Sequence, residues 1–439
     1  MPAFRHRHVT RKARPENPLA GKKVYIPRMP DGSSLAFAHV FRWLGIEAEL
    51  TPPSNERTRE LGRKFSNGDE CYPAIVTVGD FLRVVEQPGF NPRQSVFFMP
   101  TAEGPCRFGQ YAPYLRKVLK DAGWPDVQVL SPTGDNGYAD LGDLGGAFTR
   151  GAWRALVGGD VLSRARLKTR PYETVPGTAD QTFQESLEDF CKTLESSCAD
   201  PGCQLKSLVQ SLYRGRERFR RVPAHYDPDV PLIGVVGEIF CRLNTFSNED
   251  LVRRLEGFGA EALLSHIAEW VAYTNADEVR KLKLCGKGIS LDMLKSKVRS
   301  HFQLADEHAL TKPFHEDFVG LEEPDVREVL DLAWPYLPSN GALGEMVLSV
   351  GKAAYLARHG ADGIIDISPF TCMNGIVSES IYPKLSKDYG GIPIRSFYFD
   401  GTQSDLDRDL GIYLELARSY REKKTYKRTY PACFAQPVA

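Results

Sequence analysis

A chain of 439 residues is too long for one ordinary hydrophobic core, and its 42% apolar and 26% charged residues are those of a globular protein. Its 56 Lys and Arg balance 56 Asp and Glu, which excludes a general nucleic-acid binder with a basic face. No stretch approaches the ~20 apolar residues needed to span a bilayer.

The N-terminus carries Arg5, Arg7, Arg11, Lys12 and Arg14 with no apolar run behind them, so residues 1–20 are expected to form a solvated, disordered tail rather than a secretory signal. Residues 22–29 read as a strand and loop, 34–44 as an amphipathic helix stopped by Gly45, and 48–50 as a second strand. Pro73 opens a helix to Val85, because proline at a first helical turn removes no intrahelical bond. A buried strand at 96–99, a helix at 110–122 and a strand at 127–130 complete a first Rossmann-like α/β domain, 21–145. Residues 146–229 read as a helical segment with polar breaks at 169–180 and 198–202, closing in a basic linker from Arg214 to Pro228. A second α/β domain, 230–423, opens with the strand 231–237. Ser247 and Asn248 are candidate caps for a helix 249–257. A helical insertion is expected over about 266–360, then strands at 363–367 and 394–399 and a last helix at 405–421. Residues 424–439 are expected to be loose. The fold class is therefore α/β, with two parallel-sheet lobes and helical insertions.

Three cysteines share one setting. Cys71, Cys106 and Cys372 lie in Gly/Pro-rich loops just before predicted helices or just past predicted strands. Sites of open α/β sheets assemble there, since backbone N–H groups and helix N-termini converge beyond the strand carboxyl ends. A helix N-terminus also favours the thiolate. Three such thiols suggest one metal centre, and sulfur-only ligation suits an iron–sulfur cluster, a three-cysteine cube leaving one iron open. No C-x-x-C occurs, so neither a zinc ribbon nor a bacterial-ferredoxin cluster is supported. With nine cysteines and no scaffold-like spacing, the thiols are expected to be reduced in a cytoplasmic protein. Cys241 reads as packing or as a fourth ligand. Cys191, Cys198 and Cys203 form a local group that could support a separate metal site, whereas Cys285 and Cys433 look incidental. Arg107 shares a loop with Cys106 and could bind an anion in a fork geometry. Glu238, past the strand 231–237, could transfer protons, and Arg242 and Asn244 share its loop. Gly32, Ser33 and Ser34 could hold a phosphate, but no nucleotide-binding glycine motif is present.

The segments Gly-Asp-Glu-Cys-Tyr-Pro-Ala (68–74), Gly-Pro-Cys-Arg-Phe-Gly-Gln-Tyr (104–111), Val-Gly-Glu-Ile-Phe (236–240), Phe-Ser-Asn-Glu-Asp-Leu-Val (246–252) and Pro-Phe-Thr-Cys-Met (369–373) carry a resemblance over about residues 23–413. Through them the chain resembles the acyl-CoA dehydratase activase-related proteins, grouped with the iron–sulfur subunits of 2-hydroxyacyl-CoA dehydratases and benzoyl-CoA reductases. The resemblance implies paired Rossmann-like lobes around an oxygen-sensitive [4Fe-4S] cluster, possible in a fused double-cubane form, with Cys71, Cys106 and Cys372 as ligands. It also implies electron delivery by an actin-like-fold ATPase and a homodimer or heteromer acting on an acyl-CoA-type thioester. The expected function is low-potential reduction or dehydration of such a thioester, or passage of electrons to a subunit that does this. The alternatives are a non-catalytic relay or assembly subunit and, from another class, a cluster-free α/β transferase.

Overall fold

The computed structural model describes residues 17–102, 104–132, 139–338, 344–402 and 405–429. Two four-stranded, wholly parallel sheets organise the chain. The first comprises β1 (Lys23–Ile26), β2 (Glu47–Leu50), β3 (Ser95–Phe98) and β4 (Gln128–Leu130), in the order β2-β1-β3-β4. The second comprises β5 (Leu232–Gly237), β6 (Glu261–Leu264), β7 (Gly363–Pro369) and β8 (Ile394–Phe399), in the order β6-β5-β7-β8. Each is therefore the same walk outward from its first strand, with the order reversing between first and third strands. That reversal creates a crevice beyond the strand carboxyl ends. The sequence shows no fixed-period repeat, because the insertions differ between the halves.

Helices cover both faces of each sheet. In the first half these are α1 (Asp31–Trp43), α2 (Glu56–Lys64), α3 (Tyr72–Val85) and α4 (Tyr111–Asp121). Strand β3 is buried at every position, as expected of a central parallel strand covered on both sides. The helical segment is α5 (Gly145–Thr169), α6 (Thr178–Glu195) and α7 (Pro201–Arg220). Its apolar residues share one core with α1, β1 and β3, so the segment belongs to the first lobe's outer layer. Phe37, Phe41, Phe98 and Phe148 meet there with ring centroids 4.8–5.8 Å apart. The second half carries α8 (Ile239–Leu243), α9 (Leu251–Gly257), α10 (Ile267–Leu284), α11 (Leu291–Thr311), α12 (Val326–Ala333), α13 (Glu345–Arg358), α14 (Met373–Asp388) and α15 (Leu406–Lys423).

Several expectations are corrected. Arg214–Arg220, read as linker, forms the last turns of α7, where Arg214 holds Asp189 at 2.7 Å and Arg220 holds Asp317 at 2.9 Å. Helix α9 starts at Leu251 because Glu249 and Asp250 adopt positive φ, outside helical geometry. The insertion stops before α13, whose Val350, Ala353 and Ala354 pack with Val236 and Ile364 of the second sheet. Residues 424–429, expected loose, are anchored: Lys424 pairs with Asp362 at 2.7 Å and Arg428 with the buried Glu261 at 2.7 Å. Of the basic tail, residues 1–16 lie outside the described residues, and Leu19 is already core. Cys198 and Cys203 are joined as a disulfide, against the expectation of reduced thiols. This leaves Cys191 buried and alone, so the local group of three does not form a ligand set. Among the described residues no helix is long and apolar enough to cross a membrane.

Candidate metal centre

Each of the three cysteines precedes a helical turn. Cys71 occupies the N-cap of α3, Cys372 that of α14, and Cys106 that of a 3-10 turn at Arg107–Gln110 leading into α4. Their backbones are alike, with φ between −67° and −72° and ψ of 155°, 136° and 123°. No side chain caps these turns, so the first N–H groups are left facing the sulfurs. Ala74 N–H serves Cys71, Phe108 N–H serves Cys106, and Asn374 and Gly375 N–H serve Cys372. Cys106 follows β3 and Cys372 follows β7, equivalent places in the two sheets.

The three loops meet through Arg107. Its guanidinium donates to the Asp69 carbonyl at 2.9 Å, two residues before Cys71, and to Thr371 Oγ1 at 3.5 Å, the neighbour of Cys372. Thr371 takes a left-handed φ of 64° that turns the chain from β7 into α14. Arg107, expected to bind an anion, thus acts as a brace between lobes, although its remaining donors keep the fork geometry. Helix α3 completes the seam. Tyr72 and Val76 belong to the second lobe's core, beside Cys241 and Phe397, while Ala74, Val78 and Phe81 belong to the first lobe's. A single helix thereby fixes Cys71 between the lobes. Further bonds cross the seam, among them Asn244 Nδ2 donating to the Arg28 carbonyl at 3.2 Å and to Ser54 Oγ at 3.3 Å, Arg63 to the Asp400 carbonyl at 3.0 Å and Arg59 to the Gly401 carbonyl.

Acidic groups crowd the thiols. Glu238 caps α8, accepting from Phe240 N at 3.0 Å and Cys241 N at 2.8 Å. Burial raises the Glu238 carboxyl against these bonds. Glu345, at the start of α13, accepts from Ile239 N at 2.9 Å and is pushed up to about 8 by burial and by Glu238. Burial, followed by these carboxylates, raises Cys372 to about 12. Cys71 is raised by burial despite its 2.7 Å hydrogen bond to the Tyr111 hydroxyl. Burial and the same two carboxylates push Cys106 up to about 11, although the residue is exposed at the surface. The expectation that helix N-termini would favour thiolates is therefore overturned, as burial and neighbouring acids outweigh the dipole. The group is rich in sulfur donors, with the Arg107 and Arg242 guanidinium groups beside its acids.

The donor types are those an iron–sulfur cluster uses: three unbridged thiols with backbone N–H groups facing sulfur. Among the described residues no three His, Cys, Asp or Glu side chains gather at the spacing of a single bound ion. A tetrahedral ion with sulfur bonds near 2.3 Å needs sulfurs ~3.8 Å apart, whereas a cube carries its thiolates on separate corners. Cys241 is fully buried in the second lobe's core, and Cys285 is exposed away from the seam. Cys433 lies outside the described residues. Tyr111 and Glu345 were not anticipated. Tyr111 closes the 104–111 segment and could have been found there, whereas nothing local marks Glu345.

Other candidates resolve as structure. Ser33 is wholly buried and Gly159 of α5 seals its backbone, since a Cβ at Gly159 would lie 2.5 Å from Ser33 Cα. No phosphate can approach that turn. Arg242 is buried and donates to the Gly237 carbonyl at 2.5 Å, and Asn244 accepts from Ser247 N at 2.9 Å to hold the turn before α9. The chain matches no protein-family model and no curated protein. The fold and seam define an α/β protein of two like parallel-sheet lobes, with the loops that carry Cys71, Cys106 and Cys372 tied together by Arg107.

Behind the seam, Asp160 of α5 accepts from Ala268 N at 2.9 Å, with His266 at 3.9 Å and Arg164 and Glu323 nearby. Burial raises its carboxyl from 3.8 to about 7. A raised acid binds its proton more tightly in the folded state, so its contribution to stability is full below about pH 4 and is lost as pH rises through about 7. Asp160→Asn keeps the acceptor and removes the titration. Its melting temperature should fall less than that of the parent between pH 4 and 8, the difference reaching ~4 kcal/mol at most. Parallel pH curves would contradict this.

Proposed function

We propose that the chain is the iron–sulfur component of an ATP-driven, low-potential electron-transfer system, with Cys71, Cys106 and Cys372 holding a [4Fe-4S] cluster between the lobes. The observation that supports this is the gathering of three like-set N-cap cysteines by Arg107, which touches two loops from within the third. When bound, such a cluster supplies one-electron reduction and, with three thiolate ligands, an iron position open to an oxygen atom. The N–H groups of Ala74, Phe108, Asn374 and Gly375 would accept part of the sulfur charge and make reduction easier. Glu345, held near 8, can carry a proton at neutral pH, as an acid–base group must. The resemblance adds the setting: a cytoplasmic protein served by an actin-like-fold ATPase, and a thioester of the acyl-CoA type as the final acceptor.

Anaerobic mixing with an actin-like-fold ATPase and a reductant tests the gating. Reduction of the iron, followed by electron paramagnetic resonance, should require ATP hydrolysis. Equal reduction without ATP would remove the gated mechanism.

A further inference from the structure

Away from the seam, α10 and α11 form a hairpin that stands out from the body. From residue 281 to 295 only Met293 is buried. Its surface is aliphatic: Leu284 is 64% exposed, Ile289 104%, Leu291 75% and Leu294 58%. Along α11 the spacing of Leu291, Leu294, Val298 and Phe302 places all four on one face. A cluster of this size, left in water, marks an interaction site rather than scattered surface leucines.

The charge of the hairpin identifies what it meets. Residues 280–304 contain seven Lys and Arg against Asp292 alone, a net +6 within a chain of net charge zero. Three of these cations pair at the hairpin base, Arg280 and Lys281 with Asp277 and Arg299 with Glu278. Lys283, Lys287, Lys295 and Lys297 make no ion pair among the described residues. On the α11 wheel, Lys295 and Arg299 flank the apolar face on one side and Lys297 on the other.

We propose that this hairpin docks onto an anionic lipid surface, its aliphatic tip entering the headgroup boundary while the lysines engage lipid phosphates. Amphipathic segments with basic flanks bind bilayers in this way. A second copy of the chain is disfavoured, because it would bring a like-charged tip. Residues 1–16 are disfavoured for the same reason, being basic themselves. The tip is convex and aliphatic, and it lacks the Trp and Tyr anchors that concentrate protein–protein binding energy. This surface is independent of the proposed cluster, so metal-free and iron-loaded chains should bind alike.

The test is co-sedimentation of the full chain with vesicles of mixed phosphatidylglycerol and phosphatidylcholine, against vesicles of phosphatidylcholine alone. Binding to the anionic vesicles should be at least ~tenfold tighter, and should weaken with salt. The triple variant K287E/K295E/K297E, checked for unchanged circular dichroism, should lose ~tenfold or more. In a separate variant, I289W, tryptophan emission should move to shorter wavelength only with anionic vesicles. Absence of sedimentation, equal binding by the triple variant, or unmoved I289W emission would overturn the proposal. So would a dimer in solution that L291E dissociates, since the face would then belong to a second copy.

Discussion

Replacing Cys106 or Cys372 with serine should remove most of the iron from anaerobically purified protein while leaving the fold intact. Both residues lie at the lobe seam, where Cys106 is exposed and Cys372 half-buried, and neither belongs to a hydrophobic core. Serine is close in size and keeps the N-cap preference, so α14 and the turn before α4 should still form. Its hydroxyl, however, does not ionise near neutral pH and is a poor ligand to iron beside a thiolate. Iron per chain should fall to a small fraction of the parent value, with the melting temperature of the metal-free protein nearly unchanged. Cys241→Ser is the contrast. That thiol is wholly buried among Val235, Leu251 and Ile367, so serine there should lower stability by ~1–3 kcal/mol through an ill-satisfied hydroxyl. Iron retained in proportion to folded protein would leave Cys241 as a packing residue. Equal iron loss with no change in stability would make it a ligand.

The second large effect is expected at Gly79. Helices α2 and α3 touch backbone to backbone through two glycines. A Cβ on Gly79 would lie 1.9 Å from the Thr58 carbonyl oxygen, and one on Gly62 would lie 2.0 Å from that of Ile75. Neither obstacle is a flexible side chain that could swing aside, so Gly79→Ala must separate the helices. The cost should be ~3 kcal/mol, read as a lower denaturant midpoint. Because α3 starts at Cys71 and sends Tyr72 and Val76 into the other lobe, iron retention should fall with stability. Gly146→Ala is the control, since its Cβ would meet nothing within 4 Å and its backbone is helical. That change should be neutral or stabilising by up to ~1 kcal/mol.

Much of the fold is legible in the sequence where hydrophobic runs and punctuation agree. The strand 394–399 is placed to the residue, and Pro73 correctly opens α3. Local signals fail where tertiary contacts decide. Strand β6 reads Glu-Ala-Leu-Leu, good helix formers, yet it pairs with β5 because Glu261 is neutralised by Lys168 at 3.0 Å and by Arg428. Helix α2 was missed although Asn55 and Thr58 form a reciprocal capping box, a pattern visible in sequence once sought. The basic stretch at 214–220 misled because its arginines are partnered by Asp189 and Asp317 from elsewhere in the chain. At the seam, the cysteines could be picked out by their setting in loops. Their meeting is expected from that shared setting and from the resemblance, but the tie between the loops, Arg107 reaching Thr371 264 positions away, has no local signal. Glu345 was invisible for the same reason: its role comes from the neighbours that burial gives it.

The central claim concerns what the three sulfurs hold, and iron K-edge X-ray absorption of the anaerobically reconstituted chain addresses it directly. A sulfur shell around iron together with iron–iron scattering is the predicted result, with both features lost in a variant lacking Cys71, Cys106 and Cys372. Iron surrounded by oxygen or nitrogen, with no iron neighbour, would contradict the account.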